Sequence, residues 1–215
     1  MAFWIPAGVY PRESGGGNDT EEWGQRVIKL QIMAPIFFIT GNKGKFDEAK
    51  LIVPEIEQLD IDLPEIQESD AKRIIQAKLI AARTHQNGEF IVEDTGLYLD
   101  CLNGFPGPLI KWLLAAVGPD GIYRIAENMG NCGAVAKTVI GYGKSPEDTH
   151  FFEGSVRGAI VDPRGDFGFG WDPIFKPDGH ERTFAEMSRE EKNTVSMRRI
   201  ATEHLKSFLT KRGVQ

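Results

Sequence analysis

Apolar positions along the chain change period several times, and each change marks an element. IFFIT (36–40) is an unbroken apolar run of strand length. Directly after it Phe46, Ala49, Ile52 and Val53 recur at helical spacing until Pro54, which lacks a backbone donor and stops the helix. The pattern predicts strand, turn, helix. Across residues 70–86, Ala71, Ile74, Ile75, Leu79 and Ala82 form one helical stripe, and Asn87-Gly88 supplies the stop. Lys78 falls on that stripe, four residues after Ile74, where an apolar side chain is expected. EFIVED (89–94) then reads as a short strand ending in two acids, LNGFPGP (102–108) as a loop, and residues 109–117 and 119–129 as helices.

Residues 132–142 and 149–161 read as two strands joined around Gly143, Lys144, Ser145 and Pro146, a hairpin signal. A loop rich in glycine and aromatics, DPRGDFGFGWDPIFKPDG, follows. The chain closes on a helical segment that opens with Ser188 and Glu191 in capping-box spacing and carries Ile200, Ala201, Leu205, Phe208 and Leu209 on one side. The fold class predicted is α/β, with an antiparallel pair added to strand–helix units. Residues 1–32 have no sustained periodicity and contain SGGG at 14–17, so they read as a flexible N-terminal extension to a domain spanning 33–215.

Composition narrows the function classes. With 215 residues, 41% hydrophobic and 26% charged, the chain can bury a sizeable core as one large domain. A net charge of −6 argues against a nucleic-acid polymer as partner, because such proteins carry a basic stripe, and any phosphate ligand should be small. The two cysteines, Cys101 and Cys132, stand apart, and the four histidines show no metal-binding spacing, so the cysteines are expected reduced and a zinc site is not expected. No apolar run approaches the ~20 residues of a membrane helix. The first residues lack the basic region and continuous apolar stretch of a signal peptide. A cytoplasmic protein with no membrane partner is expected.

Several stretches carry candidate chemistry. TGNKGK (40–45) follows a strand and opens a helix, where outward backbone N–H groups and lysines can cradle phosphate; read alone it is equally a surface turn with solvated lysines. It is not a Walker A loop, because only two residues separate Gly41 from Gly44 and Phe46 stands where Ser or Thr would bind Mg²⁺. Glu93-Asp94-Thr95-Gly96 puts carboxylates at the predicted end of a strand, able to hold Mg²⁺ or orient a water, with alternation letting only one of the pair face a given cleft. Glu65, after Leu63-Pro64, is a second candidate acid. Lys78, and Lys111 within PLIKWLL, either snorkel to solvent or reach a buried anion. FGFGWDP (167–173) offers aromatic faces and the acceptor Asp172, as a purine pocket requires, or else an aromatic plug for the core. EEKNTVSMRR adds Lys192, Arg198 and Arg199 about a helix start, readable also as a solvated face.

The order TGNKGK, LPE, EDTGL, FPGPLIKW, FGWDPIFKPDG, TFAEM, EEKNTVSMR over roughly residues 34–210 resembles the inosine triphosphate pyrophosphatase family. The resemblance implies a two-lobed fold around a long twisted mixed sheet, with the substrate in the cleft between lobes, and a homodimer. It also implies Mg²⁺-dependent hydrolysis of ITP, dITP or XTP to the monophosphate and pyrophosphate. Carried over by position, Thr40, Gly41, Asn42, Lys43, Gly44 and Lys45 would hold the triphosphate, with Lys78 and Thr95 beside it and Lys111 lining the cleft. Glu65 and Asp94 resemble the metal-binding acids, and Asp94 the base that activates water. Phe169, Gly170, Trp171 and Asp172 match the base pocket, and Lys192, Ser196, Met197 and Arg198 the last substrate-binding stretch. Lys45, Lys78, Lys111, Lys192 and Arg198 together with Mg²⁺ would balance the charge of a triphosphate. Many family members read Ser-His-Arg where this chain has Ser196-Met197-Arg198, and methionine offers only a weak acceptor to the base edge. Two alternatives follow: a pyrophosphatase of the same fold for another modified nucleotide, and a nucleotide-binding module without catalysis.

Overall fold

A computed structural model describes residues 35–168 and 170–213; the N-terminal extension expected at 1–32 and the candidate Phe169 lie outside the described residues. The first unit is the strand–turn–helix that the sequence predicts. β1 (Ile36–Ile39) leads into α1 (Lys43–Ile52), and Asn42 caps the helix by accepting from the Lys45 N–H at 3.1 Å. Such a cap is worth about 1 kcal/mol. β2 (Ile56–Leu59), too polar as IEQL to be read as a strand by itself, forms because β1 pairs with it in parallel from Ile36↔Ile56 to Ile39↔Leu59.

α2 (Ala71–His85) follows, capped by Asp70, and then β3 (Glu89–Leu99). β3 does not end at Asp94 as its sequence suggested. Leu97 and Leu99 continue the buried alternation, and β5 (Gly133–Gly143) pairs with it antiparallel from Phe90↔Gly143 to Leu99↔Ala134. Gly96 looked like a turn residue, yet it lies within the strand, because the backbone of β4 (Pro106–Gly107) presses on it: a Cβ there would stand 2.7 Å from the Gly107 carbonyl carbon.

α3 (Ile110–Asn128) is broken at Gly118 (φ +67, ψ 174) ahead of Pro119, so the two predicted helices are its two halves. β6 (Thr149–Ile160) closes the predicted hairpin with β5, and β7 (Phe175–Pro177) pairs with the end of β6. The C-terminal segment is two helices, α4 (Arg189–Val195) and α5 (Met197–Lys211), divided at Ser196. Ser196 ends the first helix and caps the second through Arg199 N–H at 3.2 Å.

Among the described residues the sheet has seven strands, in the order β2-β1-β3-β5-β6-β7 with β4 on β3. Alternation along β3 distributes its side chains. Phe90 and Val92 pack with Ile75, Leu79 and Ala82 of α2, whereas Ile91 packs with Phe38 of β1, Ala49 of α1 and Leu205 of α5. A third cluster gathers Leu97 and Leu99 with α3, Trp171, Phe175 and Phe184 at the other end of the sheet. One feature of the pairing sets the position of the site: on the β1 side of β3, the ladder to β1 stops at Ile91 and the ladder to β4 begins at Leu97. Among the described residues no helix is long and apolar enough to cross a membrane.

Candidate active site

A cleft of about 400 Å³ opens at this gap, where, among the described residues, the edge of β3 carrying Glu93, Asp94 and Thr95 has no strand beside it. The expectation that only one member of the acid pair faces a given cleft is corrected: both line this one, because an open strand edge is reached from both faces. The faces still differ. Glu93 follows Ile91 toward α1 and α5, where Lys45 Nζ lies 2.8 Å from Oε1 and Arg198 Nε 2.9 Å from Oε2. Asp94 follows Val92 toward α2, where Lys78 Nζ lies 3.8 Å from Oδ1.

Lys78 therefore does not snorkel. It is 8% exposed and donates to Glu65 Oε1 at 3.0 Å and to the Glu93 carbonyl at 3.3 Å. Glu65 reaches it from the loop after β2, and Lys111 of α3, mostly exposed, stands 3.9 Å from the other Glu65 oxygen. Burial raises the Asp94 carboxyl above the ordinary range, with Lys78 and Lys45 opposing it. Burial would also raise Glu93, but Arg198 and Lys45 outweigh it and hold that carboxyl down at about 2. Glu65 is lowered: burial pushes up, and the Lys78 hydrogen bond together with Lys78, Lys111 and Lys45 pulls further down.

Asp94 Oδ2 is buried with no hydrogen-bond partner among the described residues, beside a second carboxylate that shares its lysine. Hard oxygen donors of this kind suit Mg²⁺, which takes one or two carboxylates and fills its remaining positions with phosphate oxygens and water. Among the described residues no three His, Cys, Asp or Glu side chains stand close enough to form a metal cage.

At the far end of the cleft stand Gly170, Trp171, Asp172, Lys192 and Met197. The aromatic loop packs into the core and also borders the cleft. Trp171 is 7% exposed and packs edge-on to Phe175 at 5.5 Å in the core, while its margin lines the cleft. Asp172 is buried and accepts from Lys192 Nζ at 2.6 Å. Gly168 takes a positive φ of +84°, and a Cβ on it would stand 2.2 Å from Asp172 Oδ2, so the loop can fold over the carboxylate only with glycine there. Thr95 reaches the cleft wall with its hydroxyl 2.8 Å from that of Thr138.

A second cavity of about 470 Å³ shares Lys45, Glu65, Lys78 and Glu93 with the first and is completed by Thr40, Gly41 and the loop 61–64. Thr40, Gly41 and Lys45 of the TGNKGK turn thus face a cavity. The other three do not line either cavity: Asn42 caps α1, Lys43 is solvated near Asp47, and the Gly44 carbonyl accepts from Arg189 at 3.3 Å. Ser196 likewise caps α5 beside a small side cavity instead of the main cleft. Glu93 as a cleft residue, Glu48 as a partner of Arg198, and the apolar wall of Pro108, Ile110 and Leu114 were not singled out from sequence. The doubled acid was the one available signal for Glu93.

The cations and acids of the main cleft nearly cancel. Lys45, Lys78, Lys111, Lys192 and Arg198 face Glu65, Glu93, Asp94 and Asp172 in its lining, and Glu48 pairs with Arg198 from behind. The basic side chains are already paired, so a bound polyanion needs further positive charge.

A sequence model of the Ham1 family matches residues 36–208. The chain is 45% identical over 184 residues to the inosine triphosphate pyrophosphatase of Schizosaccharomyces pombe, covering 84% of this chain and 97% of that one. It is 39% identical over 173 residues to the dITP/XTP pyrophosphatase of Methanopyrus kandleri, covering 78% and 92%. Among solved structures, the Ham1 protein of Staphylococcus aureus superposes with a TM-score of 0.67 at 30% identity, over 82% of this chain and 99% of that one.

Proposed function

The chain belongs to the Ham1 family, and from that premise we propose how its cleft works as a nucleoside triphosphate pyrophosphatase. It is a hydrolase of deaminated purine nucleoside triphosphates, as its relatives named for inosine triphosphate and for dITP and XTP indicate. Breaking the α–β anhydride yields the monophosphate and pyrophosphate. The triphosphate runs from the main cleft toward the second cavity, where Thr40, Gly41 and Lys45 stand; Lys78, Glu65 and Asp94 flank the region where the two meet. The observation that carries this reading is Asp94: a half-buried carboxylate whose buried Oδ2 has no hydrogen-bond partner among the described residues, at the open strand edge that lines the main cleft.

Glu65 and Asp94 would hold Mg²⁺, and the near-cancellation of protein charge supports the need for it. When bound, Mg²⁺ supplies charge neutralisation across the phosphates. Asp94 accepts the proton of the attacking water, helped by the burial that raises its basicity. Lys45 and Lys78 keep their carboxylate partners and turn their remaining N–H donors to phosphate oxygens as negative charge builds on the leaving pyrophosphate. Asp172, a carboxylate held by Lys192, favours a base with a donor at N1, which hypoxanthine and xanthine have and adenine lacks. We place the enzyme in the cytoplasm as a homodimer, a reading supported by its free thiols and by the exposed apolar side chains of Phe105, Trp112, Val117 and Met129.

The test is release of pyrophosphate from ITP, XTP, GTP, ATP and dUTP with and without Mg²⁺, identifying the nucleotide product. Monophosphate from ITP and XTP at rates about a hundredfold above ATP is expected, only with the metal. Equal rates on all five nucleotides would remove the role given to Asp172. Tight binding without turnover would favour the binding-module alternative.

A further inference from the structure

Glu93 touches more of the cleft's positive charge than any role in water activation requires. Its carboxylate accepts from Lys45 Nζ at 2.8 Å and from Arg198 through Nε at 2.9 and 3.3 Å and Nη2 at 3.2 Å. Its backbone carbonyl accepts from Lys78 Nζ at 3.3 Å. These cations come from α1, α5 and α2, three helices far apart in sequence. Glu48, one turn beyond Lys45 on α1, takes Arg198 Nη1 at 2.8 Å, so α1 and α5 are joined around Glu93 a second time. Both oxygens of the Glu93 carboxylate accept from cations, Oε1 from Lys45 and Arg198 and Oε2 from Arg198. That separates it from Asp94, which keeps an oxygen unpartnered.

We propose that Glu93 is a positioning residue, which through its bonds to Arg198 of α5 fixes Lys45 of α1 for the triphosphate. The inference rests on the pyrophosphatase reading above. Through Glu93 the first turn of α1 and the first turn of α5 share one anchor, so the triphosphate meets a lysine whose place is set before binding. Preorganisation of this kind lowers the ordering cost that binding would otherwise carry. A buried ion cluster that only supported the fold would alter stability and leave substrate affinity alone.

Two substitutions separate these roles. Glu93→Gln keeps the shape and removes the charge; Glu93→Asp keeps the charge and withdraws it by one methylene. Steady-state kinetics on ITP with Mg²⁺ would be combined with calorimetry of pyrophosphate binding and with thermal unfolding to confirm folding. For Glu93→Gln, KM for ITP rises and pyrophosphate affinity falls by about tenfold or more, with a smaller change in kcat, and Glu93→Asp recovers part of the loss. In a Lys45→Met background the same Glu93→Gln change adds less than about twofold, because the group it positions is gone. Unchanged KM and pyrophosphate affinity in folded Glu93→Gln would overturn the proposal. So would the same fold-loss with and without Lys45, and so would failure of both variants to fold, which would leave Glu93 a purely structural role. Wild-type protein inactive on ITP would instead remove the pyrophosphatase reading on which the inference stands.

Discussion

Asp94 and Glu93 are neighbours in the chain with opposite electrostatic settings. Burial wins at Asp94 and raises its carboxyl, whereas two cations win at Glu93 and lower it. The first is suited to take a proton and the second to stay charged and hold cations. Asp94→Asn keeps the volume and removes the proton acceptor, so kcat for ITP should fall by about 10² to 10⁴, the range of general-base catalysis, with the dissociation constant within about threefold. Rapid-quench turnover alongside calorimetry measures both; unchanged turnover would take the base role away from Asp94. At this scale the sequence was informative where a residue broke a pattern. Lys78 stood out as a charge on an apolar stripe, and it is buried among acids. Arg198 was named within a charged run that also reads as a solvated face and through the family resemblance, but its burial depends on Glu93 and Glu48 arriving from other elements.

The start of α5 shows how an element positions side chains. Its first turn lies directly on β6 at Gly154, where a Cβ would stand 2.0 Å from the Met197 carbonyl oxygen and 2.6 Å from the Ala201 nitrogen. Contacts that short to backbone atoms oblige the helix to move. Gly154→Ala should cost about 1–3 kcal/mol, read from urea denaturation, and raise KM for ITP by shifting Met197 and Arg198. Wild-type stability in that variant would mean the helix start is more compliant than its packing indicates. Elements with a strong local signal were legible from sequence: β1 and α1 with their turn, α2, the β5–β6 hairpin, and the capping box at Ser188. β2 was not, because a polar tetrapeptide becomes a strand only through its neighbour. The end of β3 was misplaced because Thr95-Gly96 carries turn residues, and pairing with β5 outweighed that local preference.

At the scale of the whole molecule, charge and sheet topology govern. The chain carries −6 overall and its cleft lining nearly cancels, so neither long-range nor local protein charge attracts a polyanion strongly without a metal. Exposed Phe105, Trp112, Val117 and Met129 are apolar surface that self-association would cover. Sedimentation equilibrium should return twice the chain mass at micromolar concentration, and a single-chain mass there would remove the homodimer reading.

The sequence alone determined what depends on residues near one another in the chain: the periods of β1, α1 and α2, the caps, and the order of short motifs that points to phosphate chemistry on a purine nucleotide. Those features are set by local backbone sterics and by side chains a few residues apart. Only the tertiary structure decided which acid meets which cation. β1 pairs with β3 up to Ile91 and β4 begins at Leu97, and that register leaves an open edge at which Glu93 turns to α1 and α5 and Asp94 to α2. A shift of one residue in that ladder would exchange their partners, because side chains on a strand alternate between faces, and nothing local to Glu93 and Asp94 specifies it.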